Sequence, residues 1–384
     1  MLRSGRSTNE GTRKFPFPGC APRYIQEVSP ARGLAFEILT AVERGGYAAD
    51  LLAARAAPLE TRDAGLASEI VFGVLRYRAQ LDYLIEHYSG KPATRLDDAV
   101  RQALRMGIYQ LRYLERVPAH AAVSESVELI KRARKRSAAG FANAVLRKVD
   151  RAPVAWPSAA VELSHPAWLL ERWERQYGAE TAAAIARANL RAPETYVNPE
   201  TGRTQDIGAQ SIVPLLRLES GQTFLDLCAA PGNKTAQALA AGVRGVACDI
   251  HLRRLAPLKA LGVPLVVLDG TRPLPFRRFF GRILIDAPCS GTGTLAHNPE
   301  IKWRLNPGDL ADLHRRQAAL LEQGRRALAP GGLLVYSTCS LEREENEDVV
   351  AAVPGELVAE TMRRIPGREA GDGFFAAVIM AAEG

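Results

Sequence analysis

Cys289 and Cys339 stand in two short motifs, Asp286-Ala-Pro-Cys289-Ser-Gly-Thr-Gly and Ser337-Thr-Cys339-Ser, and each motif ends an apolar run that reads as a strand. A lone cysteine in such a place is usually a small buried hydrophobe. Two at neighbouring strand ends, one of them behind Asp-Ala-Pro, point instead to thiolate chemistry. A thiolate that adds to C6 of a pyrimidine turns C5 into an enamine-like nucleophile, able to attack a methyl sulfonium that the unactivated ring could not. A second thiol nearby would serve the release step.

A third stretch precedes both, Asp226-Leu-Cys-Ala-Ala-Pro-Gly-Asn-Lys-Thr235, and reads as a strand end turning into a helix. Its small residues, Ala229, Ala230 and Gly232, let a ligand approach the backbone, and the helix N-terminus offers unpaired N–H groups. It lacks both the phosphate-loop pattern, since Asn233 precedes Lys234, and the dinucleotide pattern G-x-G-x-x-G. Asp249, 23 positions after Asp226, suits a carboxylate that accepts from ribose hydroxyls, and Asp269 could accept from an adenine amino group. Singly each reads as a turn residue. At successive strand ends they predict an adenosyl cofactor.

These loops need a sheet to hold them. From Gly221 onward short apolar runs alternate with helical patterns: Thr223–Leu227, Val243–Cys248, Pro264–Leu268, Arg282–Asp286, Gly332–Ser337 and Phe374–Met380. That alternation predicts a doubly wound, largely parallel sheet with its ligands at the strand carboxyl ends. Residues 29–150 are instead helical throughout, with helices expected from Ser29 to Gly45 and over Ala64–His87, Arg95–Leu114, Ala121–Lys135 and Ala138–Val149. Between the two, residues 151–220 are rich in proline around one helical piece, Trp168–Leu190, and read as a joint rather than a core. The 384 residues thus divide into a basic, disordered arm (1–28), an all-α domain (29–150), a connector (151–220) and an α/β domain (221–384).

Charge points to a polyanion. The net charge is +8, and Lys131, Arg132, Arg134, Lys135 and Arg136 would crowd one and a half turns of a helix. Such a run is either a solvated helix end or a phosphate-contact surface. The arm adds Arg3, Arg6, Arg13, Lys14 and Arg23. Five widely spaced cysteines without a Cys-x-x-Cys, and scattered histidines, argue against a disulfide framework or a metal site. No apolar run of about 18 residues suggests a membrane span, and a soluble cytoplasmic monomer is expected.

The motifs at Asp226, Asp286 and Ser337, with His297-Asn-Pro-Glu-Ile-Lys-Trp303 and Asp372-Gly-Phe-Phe375, closely resemble those of RNA cytosine-C5 methyltransferases that use S-adenosylmethionine. The helical domain resembles NusB, an RNA-binding module, through Ser29-Pro-Ala-Arg, Phe72-Gly-Val-Leu-Arg-Tyr77 and Phe141-Ala-Asn-Ala-Val-Leu-Arg147. Their fusion is similar to bacterial 16S rRNA methyltransferases of the RsmB type. The resemblance implies an N-terminal NusB-like domain and a C-terminal Rossmann-like methyltransferase domain. Cys339 matches its nucleophile, Cys289 the cysteine of product release, and Asp286 a residue of the cytosine and cofactor pocket. Cys228, Ala229, Ala230, Pro231, Gly232, Asn233 and Lys234 match the cofactor loop, Asp249 and Asp269 its ribose and adenine acids, and Lys302 and Trp303 RNA-side contacts.

Two departures stand out. Relatives carry Gly at Asn233, where a left-handed residue would suit Asn next best. Relatives also place a small RNA-binding insertion where Val197-Asn198 here runs almost directly into Gln205-Asp206, so one RNA-gripping lobe is expected to be missing. A tRNA substrate, or a catalytically idle RNA-binding assembly factor, are the competing expectations.

Overall fold

The computed structural model describes residues 28–352 and 357–381. The basic arm therefore lies outside the described residues. The N-terminal unit is built from α1 (Pro30–Glu43), α2 (Ala48–Arg55), α3 (Thr61–Arg76), α4 (Arg78–Ser89), α5 (Asp98–Tyr113), α6 (Ala119–Arg132) and α7 (Ala139–Leu146). Along α1 the residues Ala31, Ala35, Ile38, Leu39 and Val42 are buried, the stripe that a 3.6-residue period places on one face. Pro30 opens this helix as expected, but Ser29 does not cap it. Its hydroxyl instead donates to Glu125 Oε2 of α6 at 2.7 Å, tying the first helix to the sixth. The long helix expected over 64–87 is two, because the chain breaks at Tyr77.

The connector holds α8 (Ala159–Glu162), α9 (Ala167–Tyr177) and α10 (Ala179–Asn189). Gly178, at φ 81°, ends one helix and starts the next, so the expected single helix folds back on itself. This segment is more than a joint. Leu169, Leu170, Trp173, Ile185 and Ala186 form a core of their own with Leu295 and Leu341, which lie in the loops after Cys289 and Cys339. Trp173 Nε1 also donates to Glu342 Oε1 at 3.0 Å, so the helical pair braces both cysteine loops.

The C-terminal unit contains β1 (Thr223–Asp226), β2 (Arg244–Asp249), β3 (Leu265–Val267), β4 (Phe280–Asp286), β5 (Leu328–Thr338), β6 (Leu357–Arg364) and β7 (Phe374–Met380). They form one sheet in the order β3-β2-β1-β4-β5-β7-β6, parallel except for β7, which runs antiparallel to both neighbours. Its helices are α11 (Ile207–Gln210), α12 (Asn233–Ala240), α13 (Leu252–Leu255), α14 (Ile301–Arg304), α15 (Asp309–Ala327) and α16 (Glu347–Ala351). All six expected strands are present. The seventh, β6, escapes a reading for apolar runs because Glu360, Arg363 and Arg364 break the pattern of an interior strand.

The expected RNA-side residues Lys302 and Trp303 lie at the seam between the units. Lys302 is fully buried and its amine donates to Arg76 O at 3.0 Å; Trp303 Nε1 donates to Leu75 O at 2.7 Å, and Arg304 donates to Val42 O at 2.7 Å. Those carbonyls belong to the last turns of α3 and α1, which have no partner within their own helices. The stretch 302–304 thus caps two helices of the other domain. An amine with no exposed surface cannot reach RNA, so Lys302 is an interface residue.

Burial, with nearby Arg76 adding to it, holds the Lys302 amine well below its ordinary range. Between that depressed value and the ordinary one, the unfolded chain binds the extra proton, so stability should rise with pH. Lys302→Met keeps the bulk and removes the ionisation. Thermal unfolding from pH 7 to 9 should therefore show a smaller rise in Tm for the variant than for the native chain; parallel curves would mean that the amine is protonated in the folded state.

Candidate active site

β1 delivers Asp226 and then the loop 227–232. Gly232, at φ 104°, caps α12 in the left-handed region, where an added Cβ would also lie 2.7 Å from Leu258. The left-handed position is therefore Gly232. Asn233 is the first residue of the right-handed helix, so no backbone strain attends it, and its Nδ2 donates to Thr204 O at 3.2 Å. Thr204 belongs to the segment where the RNA-binding insertion is expected to be missing. There Val197 bridges to Thr204, Asn198 N donates to Arg203 O at 2.8 Å and Gln205 N to Tyr196 O at 3.0 Å, closing a tight hairpin that leaves no room for a further lobe.

Asp226 is buried and accepts from Thr235 Oγ1 at 2.7 Å, and burial pushes its carboxyl up to about 7. Cys228 is likewise held as a neutral thiol, pushed far up by burial and by the neighbouring Asp226. Lys234 points from the first turn of α12 to Asp286, with Nζ to Oδ2 at 2.7 Å. Burial opposes the Lys234 charge, but Asp286 more than offsets it and the amine is held above its usual range. The other oxygen of Asp286 accepts from Ser337 Oγ at 2.8 Å, so this carboxylate links three strand-end elements.

Cys289 follows β4 by three residues and Cys339 follows β5 directly, and their sulfurs approach to 3.4 Å. Both are partly accessible. The Cys289 thiol is raised well above the ordinary range, first by its hydrogen bond with Cys339 and then by burial. The Cys289 sulfur is thus set to keep its proton.

A cavity of about 630 Å³ is walled by Asp226, the loop from Cys228 to Lys234, Asp286, His297 and Asp372; Cys289 and Cys339 are not among its walls and connect to it through Asp286. Ala49 and Phe72 of the helical domain complete it, so that domain roofs the site. His297 and Asp372, far apart in the chain and without a part in the expected site, pair here with Nδ1 to Oδ2 at 2.9 Å; burial opposes the imidazolium less than Asp372 favours it. Asp249 and Asp269 are not among the cavity walls. Asp249 ends β2 and accepts from His251 N at 2.8 Å; Asp269, two residues beyond β3, accepts from Thr271 N at 3.0 Å. Both act as turn caps and fan out from Asp226 along successive strand ends.

The five expected phosphate contacts do not share one helical face. α6 stops at Arg132, and Arg134 is left-handed at φ 64°. Lys131 pairs with Glu128 at 3.0 Å and Lys135 with Asp97 at 2.7 Å. Among the described residues, Arg132, Arg134 and Arg136 form no ion pair.

A family model for 16S rRNA methyltransferase RsmB/F matches residues 213–355, and a NusB family model matches residues 29–151. Ribosomal RNA small subunit methyltransferase B of Salmonella arizonae is 31% identical, over 88% of this chain and 95% of its own length. The chain belongs to this family. The corresponding Klebsiella pneumoniae protein is 32% identical over the same shares, and the crystal structure of PH0851 shares the fold, with a TM-score of 0.75 and 20% identity over 91% of this chain and 99% of its own. This is therefore an rRNA methyltransferase with S-adenosylmethionine as its methyl donor.

The residues present fit that donor. The cavity reaches the small-residue loop and helix N-terminus suited to its amino-acid end, whereas Asp249 and Asp269 lie outside its walls. Among the described residues no helix is long and apolar enough to cross a membrane. If Asp249 accepts from ribose, Asp249→Ala should weaken S-adenosylmethionine by about 1.5–3 kcal/mol, roughly tenfold to a hundredfold. Calorimetry would show it, with RNA affinity unchanged; an unaltered Kd would leave Asp249 as a turn cap alone.

Proposed function

We propose that this enzyme methylates C5 of a cytosine in 16S rRNA through a covalent adduct on Cys339. The observation that carries the reading is the 3.4 Å approach of the Cys289 and Cys339 sulfurs at the ends of adjacent strands, beside Asp286. The names of the relatives that span 88% of the chain favour small-subunit rRNA over tRNA. A paired, accessible set of thiols next to a cofactor-sized cavity favours an enzyme over an idle assembly factor.

The target base leaves its stack, since C6 is out of reach inside a helix. Cys339 gives its proton to water and adds to C6 as a thiolate, with the Cys289 sulfur 3.4 Å away. Asp286, fixed by Lys234 and Ser337, holds the cytosine edge. The bound donor supplies an electrophilic methyl group to the activated C5. Water then takes the C5 proton, the electron pair of that C–H bond restores the C5–C6 double bond, and the bond between C6 and the Cys339 sulfur breaks to release the sulfur as a thiolate. Cys289 eases that departure by donating to the leaving sulfur.

Cys339→Ala should abolish methyl transfer and leave cofactor binding intact. Cys289→Ala should instead accumulate a protein–RNA adduct that survives denaturing gels and disappears in the double variant. Adduct in the Cys339 variant alone would reverse the roles.

The NusB-like domain and the arm are proposed to supply most of the grip on RNA. Changing Arg132, Arg134 and Arg136 to Gln should weaken binding across sequences and reduce the salt slope by roughly 0.7–0.9 for each phosphate no longer neutralised. Lys131 and Lys135, already paired with acids, should contribute less. Filter binding over a salt series would test this, and an unchanged slope would move the RNA surface elsewhere.

A further inference from the structure

The loops that carry the two cysteines are joined from beneath by one carboxylate. Glu345 has no exposed surface, and its oxygens receive four hydrogen bonds. Oε1 accepts from Ser290 N at 2.8 Å and Gln317 Nε2 at 2.9 Å; Oε2 accepts from the hydroxyls of Ser290 and Ser340, each at 2.5 Å. Ser290 and Ser340 are the residues that directly follow Cys289 and Cys339. Their hydroxyls lie 3.1 Å apart. The next residue repeats the pattern, with Asn346 Nδ2 donating to Ser340 O at 2.9 Å and its Oδ1 accepting from Thr338 Oγ1 at 2.5 Å. Tyr336 Oη anchors the turn itself through Glu345 O at 2.6 Å.

A carboxylate without solvent is costly unless its lone pairs are satisfied, and here every one of the donors is neutral. Packing alone could be met by an apolar side chain. What an apolar residue could not do is hold two serine hydroxyls at one point and place a negative charge behind one of two touching thiols. We propose that Glu345 is a positioning residue for the reaction: by tying Ser290 and Ser340 to one point it sets the spacing of the two sulfurs, and its carboxylate, placed behind Cys289, makes Cys339 the more reactive of the pair. After the hydrogen bond with Cys339 and burial, the Glu345 charge is among the causes that push the Cys289 thiol up. A neighbouring anion disfavours a second one.

The inference rests on the two cysteines being the reacting pair, yet its first test needs no RNA. The full chain would be treated with iodoacetamide from pH 7 to 10 and each thiol followed by mass spectrometry. In the native protein Cys339 should be alkylated well ahead of Cys289. In Glu345→Gln, with the charge gone and the shape kept, Cys289 should react about tenfold faster at pH 8, the effect of roughly one pKa unit, and the contrast should shrink. A variant that binds S-adenosylmethionine normally and keeps the native alkylation contrast would overturn the proposal. Should Glu345→Gln fail to fold, Ser290→Ala and Ser340→Ala together keep the charge and loosen the tie. That variant should leave Cys289 protected while kcat falls at least tenfold with KM little changed, whereas an exposed Cys289 would refute the role of the charge. If instead Cys339→Ala still methylates RNA, the reading of the cysteines fails while the alkylation contrast stands.

Discussion

The register between β4 and β5 is the constraint on which the site depends. Asp286 lies opposite Ser337, and the Ser337 hydroxyl bonds the Asp286 carboxylate across that step. Three residues further along one strand and two along the other, the chains deliver Cys289 and Cys339. A slip of one residue would turn Asp286 and Ser337 to opposite faces and separate the sulfurs by several ångströms. Hydrophobic burial on both faces of this central pair, with Ile283, Leu284, Ile285, Leu334, Val335 and Tyr336 all in the core, makes such a slip costly.

Around that register the three motifs act on one another rather than side by side. Lys234 arises from the first motif and ends on the carboxylate of the second; Ser337 arises from the third and ends on the same group. The connector helices press on the loops after both cysteines through Leu295 and Leu341, and the helical domain closes the cavity from above. Each element is polar where it meets the site and apolar behind, which is why so much charge can gather without solvent.

The strands are legible in the sequence because interior strands of a parallel sheet are short apolar runs bounded by glycine and proline. The cysteine and cofactor loops are legible because small residues and strand-end acids have few other uses there. What the sequence conceals is tertiary. Lys302 reads as an exposed cation, and its burial rests on contacts the sequence does not show, the Arg76 carbonyl 226 residues away that accepts from its amine and the Trp303 ring beside it. Glu345 sits in a run of acids, Glu342 to Asp348, that looks like a solvated helix start; the serines after each cysteine are the available signal. Tyr77 and Gly178 break helices whose apolar period continues through them, because the returning chain packs better than a straight rod.

The two departures from the family pattern meet in space. Asn233, expected from the resemblance to stand in place of a glycine, commits its side-chain amide to the carbonyl of Thr204, inside the tight hairpin that begins at Val197. A glycine could not make that bond. The tight hairpin is thereby tied to the first turn of α12, and Thr204 and Asn233 together form part of the cavity wall. A change in the length of residues 199–202 would therefore be felt at the start of α12, and through it at the wall of the cavity.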